Sequence, residues 1–526
     1  MKLPPTSIAR TTLNRRMMSS CGTLFATALL FALPQIAAAL DATWTGATGG
    51  GTQNWQTATN WSTDPAIPTV AGDTATFGNI LTGNTILQLN GAVTLGKITG
   101  LDTNNEINIQ NGTGGSLTFD TGSIVVPAIN SSRAGGVGVL LYATVSGSNG
   151  LTITGTPTTE IRVNGTTNWA GFSGGLTIAQ GILSLQADTG SNTVLPTDER
   201  LTLGTTGTTN FNINNRNATI GSLAGTSSAY IYNSVAASSR TLTFGDASTD
   251  ASFAGTIGMS SSGTNVNVMA LAKQGSGTQA ISGSIVGLTT VAVNTSGGTL
   301  VLSGSNSYTG ATTVNNLGTL IVSGTHNQGT GANAGRYVVN AGGTLAGSGA
   351  IYLSDTSGGL TGMSIAGVLS PGLNGTIGNL TINATNSVRS ALAFEVGGTL
   401  AFDLNTGFAS DRLTVFGGSA SSDVFFSSNV INFTDLSAGA LAAGQYLLID
   451  GDAATTYSGL TTDGSGYITA GLSIGTGLAA YSGSTLQVVG NDVYLNVVPE
   501  PSSVALVALG IAGVLGWARR TRPLTA

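Results

Sequence analysis

Short runs of alternating apolar and polar residues recur along most of the chain between residues 40 and 498. A typical run has Leu, Ile or Val at every second position, Thr or Ser between them, and Gly or Asn at its ends. Such alternation is typical of β-strands with one buried face. Clear examples lie at residues 151–154, 176–178, 182–185, 241–244 and 380–382. Since no stretch shows a convincing helical period of about 3.6 residues, the pattern predicts an all-β chain.

The triplet Gly-Thr-Leu occurs at residues 298–300, 318–320, 343–345 and 398–400. The first three copies are about 20 to 25 residues apart, which is the size of one coil of a β-solenoid. Each coil would supply two or three short strands that pair with the same strands of the next coil. At ~22 residues per coil, residues 40–498 would form on the order of 20 coils. The pattern is less regular between residues 186 and 298, which predicts a bulge or a loop insertion there.

The composition favours short strands and tight turns, because the chain has 78 Gly and only 12 Pro. Charged residues make up 8% of the chain and the mean hydropathy is +0.26. The formal net charge is −6, and it becomes more negative if the basic ends are removed. Such a chain is not expected to bind nucleic acid through its phosphates. Because the single Cys21 lies near the N-terminus, no disulfide is expected in the exported part.

Residues 1–39 have the three parts of an export signal. Basic residues up to position 16 precede an apolar stretch at 24–36, which is followed by Ala37, Ala38 and Ala39. This order predicts a signal peptide with an Ala-x-Ala site, formed by Ala37 and Ala39, that is cleaved after Ala39. The pair at residues 15–16, Arg-Arg, leaves twin-arginine export open beside ordinary Sec export.

Residues 498–526 combine three further features. Pro499, Glu500 and Pro501 come first, an apolar run rich in small residues follows at 502–517, and a basic end includes Arg519 and Arg520. The prolines keep the backbone extended and accessible to a protease. The apolar run is shorter than the about 20 residues of a permanent membrane span. The arginines would hold the end of the tail on the cytoplasmic side.

This order of parts resembles the PEP-CTERM signal of Gram-negative bacteria that secrete exopolysaccharide. The resemblance implies that a short apolar helix associates transiently with the inner membrane and that the protease exosortase cuts near Pro499, Glu500 and Pro501. It further implies delivery to the cell surface or the extracellular matrix, where exopolysaccharide is a candidate partner. A plain C-terminal membrane anchor is the alternative.

A second resemblance lies in the middle of the chain. Residues 302–314 read Leu-Ser-Gly-Ser-Asn-Ser-Tyr-Thr-Gly-Ala-Thr-Thr-Val, and residues 317–320 read Leu-Gly-Thr-Leu. They resemble the autotransporter-associated β-strand repeat, which we place at residues 298–322. Weaker similarities occur at 169–183, 369–382 and 410–417. The resemblance implies a right-handed parallel β-helix.

Residues 40–80 differ from the rest because they contain Trp44, Trp55 and Trp61. The end of a solenoid exposes core residues and unpaired strand edges, so we interpret this segment as a Trp-rich cap. An aromatic platform for sugar rings is the alternative interpretation. The predicted organisation is then a signal peptide at 1–39, the cap at 40–80, a β-solenoid at 81–400, a C-terminal β region at 401–497 and the sorting signal at 498–526.

Residues suited to catalysis are few. The single histidine, His326, lies in a Gly- and Asn-rich stretch and is expected to be a solvent-facing loop residue. A serine triad needs an oriented base and zinc needs several His or Cys ligands, so neither site is expected. Arg412 is expected to form a surface ion pair with the neighbouring Asp411.

The acids are spread thinly along the chain. The pairs close in sequence are Asp198 with Glu199, Asp246 with Asp250, and Asp450 with Asp452. Glycoside hydrolysis needs two carboxylates at a fixed separation, and Asp450 with Asp452 could also bind Ca²⁺. We interpret these acids as exposed turn residues. The sequence therefore predicts no enzyme, cofactor or metal site, but an exported structural or adhesive protein. A polysaccharide lyase or hydrolase on a β-helix scaffold is the alternative.

Overall fold

The structure is a computed structural model that describes residues 38–498 with internal gaps. The gaps are residues 47–48, 165–167, 170, 187–194, 215, 236–239, 246–249, 264–268, 288–289, 294–297, 328–335, 354–361, 374, 385–389 and 418–421. The chain divides into two units, Met1–Ala38 and Ala39–Ala526. The second unit contains all of the strands that the structure describes.

Strands make up 54% of the structure, which confirms the all-β prediction. The described residues contain no α-helix, and two single-turn 3-10 helices lie at Ala58–Asn60 and Ala479–Tyr481. The first strands are β1 Asp41–Thr43, β2 Gly49–Asn54, β3 Thr74–Phe77, β4 Gly83–Leu89, β5 Ala92–Leu95, β6 Lys97–Gly100, β7 Ile107–Asn111, β8 Ser116–Phe119, β9 Ala128–Ser131, β10 Gly136–Leu141, β11 Val145–Ser146, β12 Leu151–Thr154, β13 Thr159–Val163, β14 Leu176–Leu185, β15 Arg200–Leu203 and β16 Thr209–Asn212. They are followed by β17 Ala218–Ile220, β18 Ser222–Gly225, β19 Ala229–Tyr232, β20 Arg240–Phe244, β21 Ala251–Phe253, β22 Thr256–Ile257, β23 Met269–Lys273, β24 Thr278–Ile281, β25 Thr290–Val293, β26 Thr299–Leu302, β27 Ser305–Asn306, β28 Thr312–Val314, β29 Thr319–Val322, β30 Thr325–Asn327, β31 Tyr337–Val339 and β32 Thr344–Gly347. The last are β33 Ala350–Tyr352, β34 Met363–Ile365, β35 Val368–Pro371, β36 Asn379–Asn383, β37 Ser390–Phe394, β38 Thr399–Leu404, β39 Arg412–Phe416, β40 Ser422–Phe426, β41 Asn429–Asp435, β42 Gly444–Gly451, β43 Thr455–Ser458, β44 Thr461–Thr462, β45 Ile468–Ala470, β46 Leu472–Ile474, β47 Thr485–Val489 and β48 Asp492–Val497.

Three parallel ladders of strands run side by side through the C-terminal half. The first ladder passes through β26, β29, β32, β35, β38 and β41. The second ladder passes through β27, β30, β33, β36, β39 and β42. The third ladder passes through β25, β28, β31, β34, β37, β40 and β43. Each coil therefore supplies one strand to each ladder, an arrangement compatible with a β-solenoid.

The repeated triplets lie at equivalent places in successive coils. Thr299 pairs with Thr319, and Thr319 pairs with Thr344, in the first ladder. The adjoining leucines Leu300, Leu320 and Leu345 point inward and are completely buried. The spacing of the triplets thus marks one coil, as predicted.

The less regular stretch between residues 186 and 298 does not interrupt the stack. The first ladder continues there through β15, β18, β21, β24 and β26, and every one of these pairings is parallel. Towards the N-terminus it reaches β1 through β14, β12, β9, β6 and β3. The parallel pairing of the first ladder is therefore kept through the irregular stretch.

A column of glycines lines the turn between the first and second ladders. A Cβ atom on Gly304 would lie 1.9 Å from the carbonyl oxygen of Gly283, one coil earlier. On Gly324 it would lie 2.1 Å from the Gly304 oxygen, and on Gly349 2.1 Å from the Gly324 oxygen. Neighbouring coils thus approach so closely at this corner that a side chain on one would overlap the backbone of the other.

The parallel pattern ends at the C-terminal strands. β42 pairs with β48 in antiparallel orientation, and β48 pairs with β47 in the same way. The outer edge of β42 is therefore covered by a strand from the same chain.

Candidate functional site

The last strand ends where the predicted sorting segment begins. β48 ends at Val497, and the backbone N–H of Val498 donates a hydrogen bond of 3.1 Å to Ser484 Oγ. Val498 itself is half-exposed. The sorting residues Pro499, Glu500, Pro501, Arg519 and Arg520 lie outside the described residues, as does the predicted apolar helix. Among the residues that the structure describes, none forms a helix long and apolar enough to cross a membrane.

At the predicted signal-peptide cleavage site, Ala39 is exposed. Ala37 lies outside the described residues. Cleavage after Ala39 therefore stays a prediction.

The three tryptophans near the N-terminus form one buried cluster with Phe77. The ring centroids of Trp55 and Trp61 are 4.8 Å apart, and those of Trp44 and Trp61 are 5.1 Å apart. The indole N–H of Trp55 donates to the carbonyl of Pro68 at 3.0 Å, and that of Trp61 donates to the carbonyl of Trp55 at 2.9 Å. All three are at most 1% exposed. The alternative interpretation as a sugar platform is wrong, because no ring face is accessible.

His326 is buried, so its prediction as a solvent-facing loop residue is wrong. It is completely inaccessible in β30, where its ring stacks on Tyr308 with centroids 3.8 Å apart. Its Nε2–H donates to the carbonyl of Tyr308 at 2.9 Å, and its Nδ1 accepts from the hydroxyl of Tyr337 at 2.5 Å. The stretch around it looked like a turn, but alternation in β30 directs His326 into the core.

Burial lowers the pKa of His326 to about 4, although its bond to the Tyr308 carbonyl opposes this shift. Burial also raises the pKa of Tyr308 to about 12, and that of Tyr337 well above its usual value. Each group is therefore neutral at physiological pH. The set is a buried hydrogen-bonded network with no access to a substrate.

The acids that were paired in the sequence contact the backbone or nearby hydroxyls. Glu199 accepts from the N–H of Gly174 at 3.0 Å, and Asp250 from that of Thr278 at 2.8 Å. Asp198 accepts from the hydroxyl of Thr197 at 3.2 Å. Asp246 lies outside the described residues.

Asp452 accepts from the N–H groups of Gly417 and Ala454 at 2.9 and 3.0 Å, and from the hydroxyl of Thr455 at 2.9 Å. It therefore fixes the turn after β42. Within the described part of the chain, no group of three or more His, Cys, Asp or Glu is placed to hold a metal ion.

Arg412 does not pair with Asp411, which corrects another expectation. Arg412, the first residue of β39, is partly exposed and lies 3.5 Å from the carboxylate of Asp450. Asp411 is 1% exposed and accepts from the N–H groups of Gly378 and Asp403 at 2.7 and 2.8 Å. Burial raises the pKa of Asp411 to about 7, the two N–H donors oppose this, and the nearby carboxylate of Asp403 adds to it. Asp411 thus ties the turn before β36 to the end of β38.

A cleft of about 380 Å³ lies beside this turn, on the outer face of the second ladder. Its walls include Ile377, Asn379, Phe408, Arg412 and Leu447. Asn379 and Arg412 are register partners at the starts of β36 and β39, which places both side chains on the same face of the sheet.

Phe408 is 49% exposed and forms the aromatic wall of the cleft. It has a positive φ of 62°, and its ring lies 5.5 Å from that of Tyr446. A Cβ atom on Gly444 would lie 2.6 Å from this ring, so the absence of a side chain there makes room for it. The Phe408 ring therefore packs against Gly444 and Tyr446 on one side and remains about half exposed to solvent.

Two more exposed aromatic residues lie on the same outer face. Tyr352 pairs in register with Asn383, and Asn383 pairs with Phe416. Tyr352 is 39% exposed and Phe416 is 41% exposed. Sequence reasoning missed this face, although the residues between 403 and 496 are visibly rich in aromatics. The missing information was the register, which brings residues from different coils together.

A known motif matches the C-terminal part of the chain. The PEP-CTERM protein-sorting motif matches residues 497–520, which begin at the last residue of β48. This match indicates a protein exported to the cell envelope or surface and processed by exosortase. No curated protein matches the sequence.

Proposed function

We propose that the chain is a structural or adhesive protein of the cell surface or the exopolysaccharide-containing biofilm matrix. The observation that carries this proposal is the sorting motif at residues 497–520, which begins at the last residue of β48. Exosortase would process the tail near Pro499, Glu500 and Pro501 after transient membrane association of the apolar segment. The β-stranded part would then leave the membrane as a folded unit.

A non-catalytic role fits the way in which the polar residues are used. The one histidine is buried and neutral, and the acids described above contact the backbone, hydroxyls or a neighbouring arginine. One row of outward positions in the first ladder instead carries threonines, at Thr299, Thr319 and Thr344. Such rows offer many weak hydrogen-bonding groups and no paired acid and base.

The finer features of the fold belong to the same proposal. We expect the coils to turn to the right, because nearly all crossovers between parallel strands of one sheet are right-handed. The buried tryptophans adjoin β1 and β2, which supports their role as a cap. Asn306 and Tyr308, the Asn and Tyr of the autotransporter-associated repeat pattern, are at most 1% exposed. Their burial supports the view that the repeat pattern reflects packing inside the coil.

The sorting step is tested in an exopolysaccharide-producing host. Mass spectrometry of cell fractions would determine the C-terminus and location of the mature protein. We expect a product outside the cell that lacks everything after about Pro501. A variant with Pro499→Ala, Glu500→Ala and Pro501→Ala should keep its tail in the membrane fraction. An unaltered chain that retains Ala526 in the membrane would instead be a plain anchored protein.

The adhesive role needs a separate test. The processed protein is expected to sediment with exopolysaccharide purified from the host and to leave the number of reducing ends and unsaturated sugars unchanged. New reducing ends would support the alternative of a hydrolase, and new unsaturated ends would support a lyase.

A further inference from the structure

We propose that the outer face of the second ladder, from the Phe408 cleft to Phe416 and Tyr352, binds an uncharged polysaccharide of pyranose units. The proposal deepens the adhesive function and rests on it. It combines three observations: a supported aromatic ring, an exposed pair of opposite charges and a second aromatic row at a distance that suits a polymer.

The Phe408 ring suits the apolar C–H face of a sugar. Ligand sites commonly combine aromatic walls with a few placed polar groups. The ring of Phe408 packs over Gly444 and against Tyr446, while about half of the residue remains exposed. Because it is already held in place, little side-chain entropy should be lost on binding.

Arg412 lines the cleft and Asp450, its ion-pair partner, lies beside it; both suit sugar hydroxyls. Arg412 offers only donors and Asp450 in its ionised form only acceptors, while a hydroxyl can be either. Their closest N and O atoms are 3.5 Å apart, and the side chains are 43% and 38% exposed. An exposed ion pair of this kind contributes little to stability. Arg412 and Asp450 can therefore exchange their mutual contact for hydrogen bonds to a ligand at little cost. The carboxylate and the net charge of −6 disfavour an anionic glycan.

The second aromatic row indicates an extended ligand. Arg412 and Phe416 lie on the same face of β39, four residues or about 13 Å apart. Tyr352 and Phe416 are two strands apart, which corresponds to about 10 Å across the sheet. A single sugar unit could occupy the cleft but could not reach this row. A chain of several units could contact both.

The test is calorimetric titration of the full chain in detergent with cellohexaose, cellobiose and hexamannuronate. Cello-oligosaccharides are chosen because their equatorial hydroxyls leave both ring faces apolar. Cellohexaose should bind, and Phe408→Ala should weaken its binding about tenfold or more. Arg412→Gln and Asp450→Asn should also weaken the binding of cellohexaose. Phe416→Ala and Tyr352→Ala should weaken binding of cellohexaose and leave that of cellobiose unchanged.

Phe425→Ala is the matched control. Phe425 is 37% exposed but belongs to β40 in the third ladder, so its loss should leave cellohexaose binding unchanged. Thermal unfolding of each variant establishes that the fold is retained. A folded Phe408→Ala variant that binds as tightly as the unaltered protein would overturn the proposal. Preferential binding of hexamannuronate would overturn the choice of an uncharged ligand.

The two proposals fail in different ways. If the protein is processed and released but binds no cellohexaose, the glycan site is wrong and the sorting function stands. If the tail remains intact in the membrane, the proposed function is wrong whatever the calorimetry gives.

Discussion

His326 occupies a position in the core that the following coils fill with aliphatic side chains, at Ile351, Ile382 and Val415. Its register partners in the second ladder are Asn306 before it and Ile351 after it. Burial of a polar ring is tolerated because both ring nitrogens are hydrogen-bonded. The cost of this arrangement depends on pH, because a charged imidazole could not accept from Tyr337.

We predict that acidification destabilises the fold through His326. Its pKa of about 4 in the fold lies below the ordinary value of 6.5, so the unfolded chain binds the proton more readily between these values. The stabilisation that neutral His326 gives to the fold is fully present above pH 6.5 and is lost as the pH falls through 4. The free energy of unfolding falls by about 3 kcal/mol in all. Denaturant unfolding at several pH values should show this loss. His326→Gln should remove this part of the pH dependence, and an unchanged profile in that variant would contradict the assignment.

The glycine column sets the distance between neighbouring coils at the turn between the first and second ladders. Gly304, Gly324 and Gly349 each face the carbonyl oxygen of the equivalent glycine one coil earlier. None of the three needs a positive φ, so the constraint comes from the close approach of two backbones. A methyl group there would push neighbouring coils apart along the whole corner.

We predict that Gly304→Ala and Gly324→Ala each lower the free energy of unfolding by about 1–3 kcal/mol. The matched control is Gly439→Ala, because a Cβ atom on Gly439 would have nothing within 4 Å. Chemical denaturation of the three variants gives the comparison. Equal stabilities in all three would show that the corner can relax and that the column is not a packing constraint.

The sequence is most informative where one residue type repeats in every coil. Thr299, Thr319 and Thr344 could be aligned from their triplets alone, because neighbouring coils there have similar lengths. His326 could not be placed, since its Gly- and Asn-rich surroundings are equally typical of a turn. The Phe408 cleft was also inaccessible to sequence reasoning. It depends on contacts between β36, β39 and β42, and on a supporting glycine at position 444 far from Phe408 in the chain.

At the scale of the whole molecule, the last strands protect the stack from pairing with other chains. A parallel ladder ends in a strand with one unpaired edge, which is a template for aggregation. β48 covers the edge of β42, and β47 in turn covers β48. Leu495 of β48 is completely buried, so this cover also completes the core.

We predict that a chain ending at Gly483 self-associates, because it lacks β47 and β48. A chain ending at Val498, which lacks only the sorting tail, should remain monomeric and equally stable. Size-exclusion chromatography with light scattering would compare the two at equal concentration. A monomeric, stable chain ending at Gly483 would show that β42 needs no cover.

The register also determines how the entropy of folding grows with the number of coils. In the first ladder, residue 299 pairs with residue 319, and residue 399 pairs with residue 430. Each new coil therefore closes a loop of about 20 to about 30 residues, and this range changes the closure entropy by only about 0.4 kcal/mol. Since every coil forms on the one before it, the cost of adding a coil is nearly independent of how many are already in place. A chain built in this way can lengthen by whole coils without ever having to bring distant parts of its sequence together.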